Sequence, residues 1–125
     1  MKKEIRILII DDEPELVFPL ADRLEMRGFD VSASDNWAEA LKFFDNKRFD
    51  IALLDVKLPG ISGIELMKLV FQLQPGIKVI FMSGHGTDDE FVNCKKGGAC
   101  DLLIKPIDIN KLIEKINYII EFCQK

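Results

Sequence analysis

"FDIALLDVKLPG", residues 49–60, decides how this chain folds. Ile51 to Leu54 is an unbroken apolar run, so it reads as a strand buried on both faces. Asp55 follows at once, and Leu58-Pro59-Gly60 then supplies turn chemistry. A carboxylate at the end of a buried strand is costly unless something pairs with it. The pattern also occurs upstream in "IRILIIDDEPE", residues 5–15, where the apolar run Ile7 to Ile10 meets Asp11, Asp12 and Glu13. Each acid alone reads best as a turn residue. Two buried strands that both end in acid raise the question of whether those ends meet.

Outward from these two runs, apolar segments and helical patterns alternate five times. The predicted strands are Ile5–Ile10, Phe29–Ala33, Ile51–Asp55, Lys78–Met82 and Asp101–Ile104. Helix starts are marked by Asn36 with Glu39, Ser62 with Glu65, and Thr87 with Glu90, each at capping-box spacing. Asp108 can cap the last helix, and Gly28, Gly76 and Gly97-Gly98 suit helix ends or the turns after them. In the last helix Ile109, Leu112, Ile113, Ile116 and Ile120 are expected to form one buried stripe. Pro19 interrupts the first helical pattern, Glu15 to Arg27, where a proline predicts a bend.

Strict alternation of this kind implies an α/β fold: a doubly wound parallel sheet with helices on both faces. Ligands in such sheets sit at the C-terminal strand ends, where strand order reverses. In the flavodoxin-like (βα)5 order 2-1-3-4-5 the first and third strands are neighbours there. Asp11, Asp12 and Asp55 then converge on one pocket.

Composition narrows the field. A chain of 125 residues with 48% hydrophobic content suits a single domain over 1–125 with a real core. Net charge of −4 argues against nucleic-acid binding by this domain alone. Apolar runs are too short to span a bilayer, and the start reads as a mature cytosolic one, so a cytoplasmic location without membrane contact is expected. Cys94, Cys100 and Cys123 form no CxxC pair and are expected to be reduced thiols in or near the core. With His85 as the only histidine, a zinc site is not expected.

Crowded carboxylates need a counter-charge, since two like charges about 4 Å apart repel by roughly 4 kcal/mol at an effective dielectric near 20. A hard divalent cation with oxygen ligands fits, and Mg²⁺ suits a site with few carboxylates and room for water and phosphate. Lys105, just past the fifth strand, is a second cation, and Ser83, just past the fourth, adds a hydroxyl at the same rim. A carboxylate nucleophile, a metal, a lysine and a hydroxyl form a coherent set for making an aspartyl phosphate.

In "IIDDEP", "LLDVKLPGISGIEL", "MSGHG" and "LIKP", in that order at the ends of strands one, three, four and five, the chain resembles the receiver domain of a two-component response regulator over nearly its whole length. The resemblance implies that Asp55 is the phosphoacceptor and that Asp12 binds Mg²⁺ directly, with Asp11 helping. It makes the backbone carbonyl of Lys57 a further ligand. Ser83 and Lys105 are implied to contact the phosphoryl group, with a cis Lys105–Pro106 bond. The implied donor is a phosphohistidine on a sensor histidine kinase or a histidine phosphotransfer protein. The implied product is a conformational switch acting on an output domain, a partner or a homodimer. Such a module is not an enzyme with a separate substrate; it catalyses only its own phosphorylation and dephosphorylation. One residue departs from the pattern: Leu102 stands three before the lysine, where receivers usually carry Tyr or Phe.

Three rival functions fit the sequence less well. A haloacid-dehalogenase-type phosphatase needs a second acid two residues after the nucleophile, and Lys57 stands there. A flavodoxin-like FMN carrier needs a phosphate cradle after the first strand, and "DDEPE" would repel phosphate. A receiver that binds partners without being phosphorylated would not need the complete residue set.

Overall fold

The computed structural model describes residues 4–123. Five long strands form one parallel sheet: β1 (Arg6–Ile10), β2 (Asp30–Ser34), β3 (Ile51–Asp55), β6 (Lys78–Ser83) and β7 (Asp101–Ile104), in the order β2-β1-β3-β6-β7. Counting only these long strands, the order is the expected 2-1-3-4-5. The extra numbers belong to a two-stranded antiparallel hairpin, β4 (Lys57–Leu58) with β5 (Ile61–Ser62), that begins two residues after Asp55. Pro59-Gly60 makes its turn, and Gly60 sits at φ +82°, a conformation glycine adopts without steric cost. The sequence read this stretch only as a turn. Strand ends differ from expectation by a residue or so: β1 begins at Arg6, β2 runs to Ser34, and Ser83 is the last residue of β6 instead of lying past it.

The unbroken apolar runs are explained by two cores, one on each face of the sheet. Ile7, Ile9, Ile51, Leu53, Ile80 and Met82 face α1 (Pro14–Glu25) and α5 (Ile109–Phe122). Leu8, Ile10, Ala52, Leu54, Val79 and Phe81 face the other side, against α3 (Gly63–Leu73) and residues of α2 (Trp37–Leu41) and α4 (Asp88–Gly97). Alternate residues thus serve opposite faces, and both faces are covered.

The helix signals hold in detail. Asn36 accepts a hydrogen bond from Glu39 N–H at 3.0 Å, and α2 tightens into a 3₁₀ turn over Lys42–Asp45. Ser62 and Glu65 form a complete capping box on α3. Asp108 accepts from the N–H groups of Asn110 and Lys111. Pro14 occupies the start of α1, where a missing N–H costs nothing. Pro19 lies inside the helix, which continues to Glu25. The buried stripe of α5 is Ile109, Leu112, Ile116 and Ile119. Ile113 and Ile120, expected in that stripe, are only half-buried. The 3.6-residue turn admits either Ile119 or Ile120 after Ile116, and the buried face of α5 is rotated toward Leu112 and Ile119. No helix among the described residues is long and apolar enough to cross a membrane.

Candidate functional site

Strand register brings the site together. Ile10 pairs with Leu54, so Asp11 and Asp55 leave the sheet side by side. Asp55 in turn pairs with Met82, which precedes Ser83, and Ser83 pairs with Ile104, which precedes Lys105. The Lys105 N–H donates to the Ser83 carbonyl at 2.7 Å, fixing the start of the β7–α5 connection, where the Lys105–Pro106 bond is cis as expected.

The acids differ in their surroundings. Asp11 is fully buried; its Oδ1 accepts from Glu13 N–H at 3.0 Å. Asp55 is buried as well, and its Oδ1 accepts from Lys57 N–H at 3.0 Å. Asp12 is exposed at the rim. All three offer carboxylate oxygens that lie within 4.8 Å of one another.

Lys105 is the counter-charge. Its Nζ lies 2.8 Å from Asp11 Oδ2, 2.9 Å from Asp55 Oδ2 and 3.1 Å from Glu13 Oε1. Burial works against the lysine's charge, but its contacts with Asp11, Asp55 and Glu13 outweigh it and hold the ammonium above its ordinary range. Burial pushes the Asp11 carboxyl up, and the neighbouring Asp55 adds to the rise, while Lys105 and the Glu13 N–H pull the other way. The cluster is therefore electrostatically loaded even with the lysine present.

These donors fit a divalent cation. Asp11 Oδ2 is buried and, apart from the close ammonium, has no hydrogen bond of good geometry. An all-oxygen set with few carboxylates beside an open cleft is what Mg²⁺ or Ca²⁺ takes. The cleft, of about 290 Å³, is lined by Asp12, Glu13, Asp55, Lys57, Ser83 and Lys105 among others. Larger cavities lie elsewhere among the described residues, one of about 980 Å³ beside Arg27 and Asn117 and one of about 350 Å³ lined by Arg6, Arg48, Asp50 and Lys78, but neither gathers three carboxylates as this cleft does. Chemistry, not size, marks the site.

Two participants escaped the sequence reading. Glu13 was legible only as part of an acid run, yet it reaches back to Lys105. Glu90 read as the second half of a capping box, but its carboxylate turns to Ser83 Oγ and to Gly86 N–H. Trp37 is half-buried and donates its indole N–H to the Pro59 carbonyl at 3.2 Å. His85 is exposed. Leu102 is buried among the apolar residues around Phe81.

The family model of the response regulator receiver domain matches residues 7–117. The chain belongs to the response-regulator receiver family. As a receiver it is a signalling module of two-component systems, in which phosphorylation and switching are the general function. It is 32% identical over 111 residues to the response regulator protein PilR of Pseudomonas aeruginosa, a match covering 89% of this chain and 25% of PilR. A CheY-like response regulator receiver domain protein from Methanospirillum hungatei superposes with a TM-score of 0.86 at 32% identity, covering 95% of each chain. A Burkholderia pseudomallei response regulator, whose crystal structure holds a phosphorylated aspartic acid, a calcium ion and citrate, gives 0.84 at 28% identity. That match covers 97% of this receiver and 71% of the other chain. The receiver spans about a quarter of the length of the curated relatives it matches, between 24% and 27%.

Proposed function

We propose that Asp55 is the phosphoacceptor of this receiver and that residues 1–125 work as one switching unit. The observation that carries this is the convergence of Asp11, Asp12 and Asp55 at one end of the sheet, with Lys105 bridging Asp11 and Asp55. The proposed donor is the phosphohistidine of a sensor histidine kinase or of a histidine phosphotransfer protein. An Asp55 carboxylate oxygen forms the new bond to phosphorus as the P–N bond to imidazole breaks, and the electron pair leaves with the histidine nitrogen. Lys105, freed from some of its carboxylate contacts, turns to the phosphoryl oxygens and offsets their charge. Ser83 donates a hydrogen bond to the same group. Asp11, Asp12, Asp55 and the Lys57 carbonyl would hold Mg²⁺, which when bound would neutralise charge on the transferring group. Asp12, the exposed acid, has the freedom to reach the ion first.

Catalysis in this reading is confined to the chain's own phosphorylation and dephosphorylation, in the cytoplasm. The output is a changed surface for an output domain, a partner or a second copy; the greater length of the curated relatives supports an output domain. The Burkholderia relative with its phosphorylated aspartic acid supports the chemistry.

Incubation with acetyl phosphate and Mg²⁺ tests the assignment by intact mass. The chain should gain one phosphoryl group, and Asp55→Asn should gain none, because an amide is a far poorer nucleophile. A wild-type mass that stays unchanged under conditions that label other receivers would remove the proposal. It would leave a receiver that acts by binding alone.

A further inference from the structure

Ser83 is a switch hydroxyl with no bond left to give. It is 2% exposed. Its Oγ donates to the Glu90 carboxylate and accepts from the N–H groups of His85 and Gly86, each at 3.1 Å. A hydroxyl has one proton and two lone pairs, and all three are engaged. To donate to a phosphoryl group on Asp55, Ser83 must first let go of Glu90.

Glu90 sits at the third position of α4, which Thr87 caps by accepting from the Glu90 N–H at 3.2 Å. In a complete capping box the Glu side chain would reach back to the Thr87 N–H. The Ser62–Glu65 pair on α3 does so. On α4 the box is half made, because the Glu90 carboxylate is turned to Ser83 and to the Gly86 N–H, 3.2 Å away. Asp88 and Asp89, on the same first turn, are exposed and account for the usual preference for acids at a helix N-terminus. That preference does not explain why Glu90 spends its carboxylate on a buried hydroxyl.

We infer that Glu90 is a latch with two positions. In the unphosphorylated protein its carboxylate holds the Ser83 proton away from Asp55. When Asp55 is phosphorylated, Ser83 transfers its proton donation to the phosphoryl oxygens, and Glu90 closes onto the Thr87 N–H, completing the box. The first turn of α4 then changes partners in step with the site. This inference rests on the phosphoacceptor reading of Asp55 and assigns Glu90 as a positioning residue acting through Ser83.

The latch makes a quantitative demand. A hydrogen bond to a charged group that must break before activation lowers the apparent affinity for any phosphoryl mimic by about tenfold or more. The test titrates the whole chain with beryllofluoride, a stable phosphoryl mimic, in excess Mg²⁺, following backbone amide shifts. Glu90→Ala should bind about tenfold more tightly than wild type. Glu90→Gln keeps an acceptor without the charge and should fall between the two. In a Ser83→Ala background, Glu90→Ala should change affinity by less than about twofold, because the latch then has nothing to hold. Equal affinity of Glu90→Ala and wild type would overturn the inference, and so would a tighter affinity that persists without the Ser83 hydroxyl. Wild-type chain that does not bind beryllofluoride at all would instead sink the phosphoacceptor reading, and the latch with it.

Discussion

The Nζ atom of Lys105 lies 2.9 Å from Asp55 Oδ2, joining the last residue of β3 to the residue that follows β7. The same ammonium is 2.8 Å from the buried Asp11, so one lysine bridges two acids and offsets part of their mutual repulsion. Removing it by Lys105→Met should lower metal-free stability at neutral pH by about 2 kcal/mol, somewhat below the cost of breaking a fully buried pair. The pH dependence follows from the two shifts. Lys105 is held above its ordinary value, so its contribution is complete below that value and is lost only as pH rises through the still higher folded one. Asp11 is raised above 3.8, so its contribution is complete below that pH and is lost as pH rises through the elevated folded value. The deficit of the variant should therefore persist across the neutral range and narrow in acid, as Asp11 takes up its proton. Urea titrations at several pH values check both limbs.

With the proposed Mg²⁺ site, magnesium should stabilise the fold, because the ion would bind only the assembled carboxylates. At a hundredfold excess over Kd the gain is about 2.7 kcal/mol. Asp12→Ala should abolish most of that gain while leaving metal-free stability equal or higher, since it removes one like charge from the cluster. Melting curves with and without Mg²⁺ decide it. Equal shifts in wild type and variant would place the ion elsewhere.

Gly63 has no room for a side chain. A Cβ there would lie 2.8 Å from Phe81 Cε1, 2.8 Å from Val56 Cα and 2.9 Å from the Val56 carbonyl oxygen. Two of the three are backbone atoms of the residue after Asp55, so little can yield. Gly63→Ala should cost about 1–3 kcal/mol despite the better helix propensity of alanine. Because the strain pushes on Val56, phosphorylation rate should fall with it. Chemical denaturation and the acetyl phosphate assay measure the two effects on one sample.

Leu102 stands where receivers usually carry an aromatic, and it is buried in the apolar layer around Phe81. An aliphatic side chain prefers that layer in either state of the switch. Beryllofluoride should therefore move the amide resonances of residues 84–96 strongly and those of residues 101–104 little. A Leu102 side-chain displacement as large as that of the Gly84–Thr87 loop would contradict this.

What the sequence could convey depended on the kind of signal each residue carries. Unbroken apolar runs are a strong signal, so the five long strands were legible; their order, and with it the meeting of Asp11, Asp12, Asp55, Ser83 and Lys105, followed from the flavodoxin-like topology and the resemblance to receivers. The hairpin of β4 and β5 was not, because strands of two residues have no periodicity to read. Ile119 was passed over for Ile120 because in an isoleucine-rich helix a small rotation decides which residue is buried. At Glu90 the helix start was legible and the carboxylate's partner was not. Its spacing from Thr87 is that of a capping box, and spacing alone does not say which of two nearby donors a carboxylate chooses.

The hydrogen bond from the Trp37 indole to the Pro59 carbonyl ties the chain's single tryptophan to the hairpin that begins two residues after Asp55. Indole emission is sensitive to the polarity and hydrogen bonding around the ring. The receiver therefore carries its own optical probe, anchored to the hairpin after Asp55 and with no second fluorophore of its kind to blur it. Any rearrangement of that hairpin on occupancy of the cluster would be readable in a cuvette, without a label and in real time.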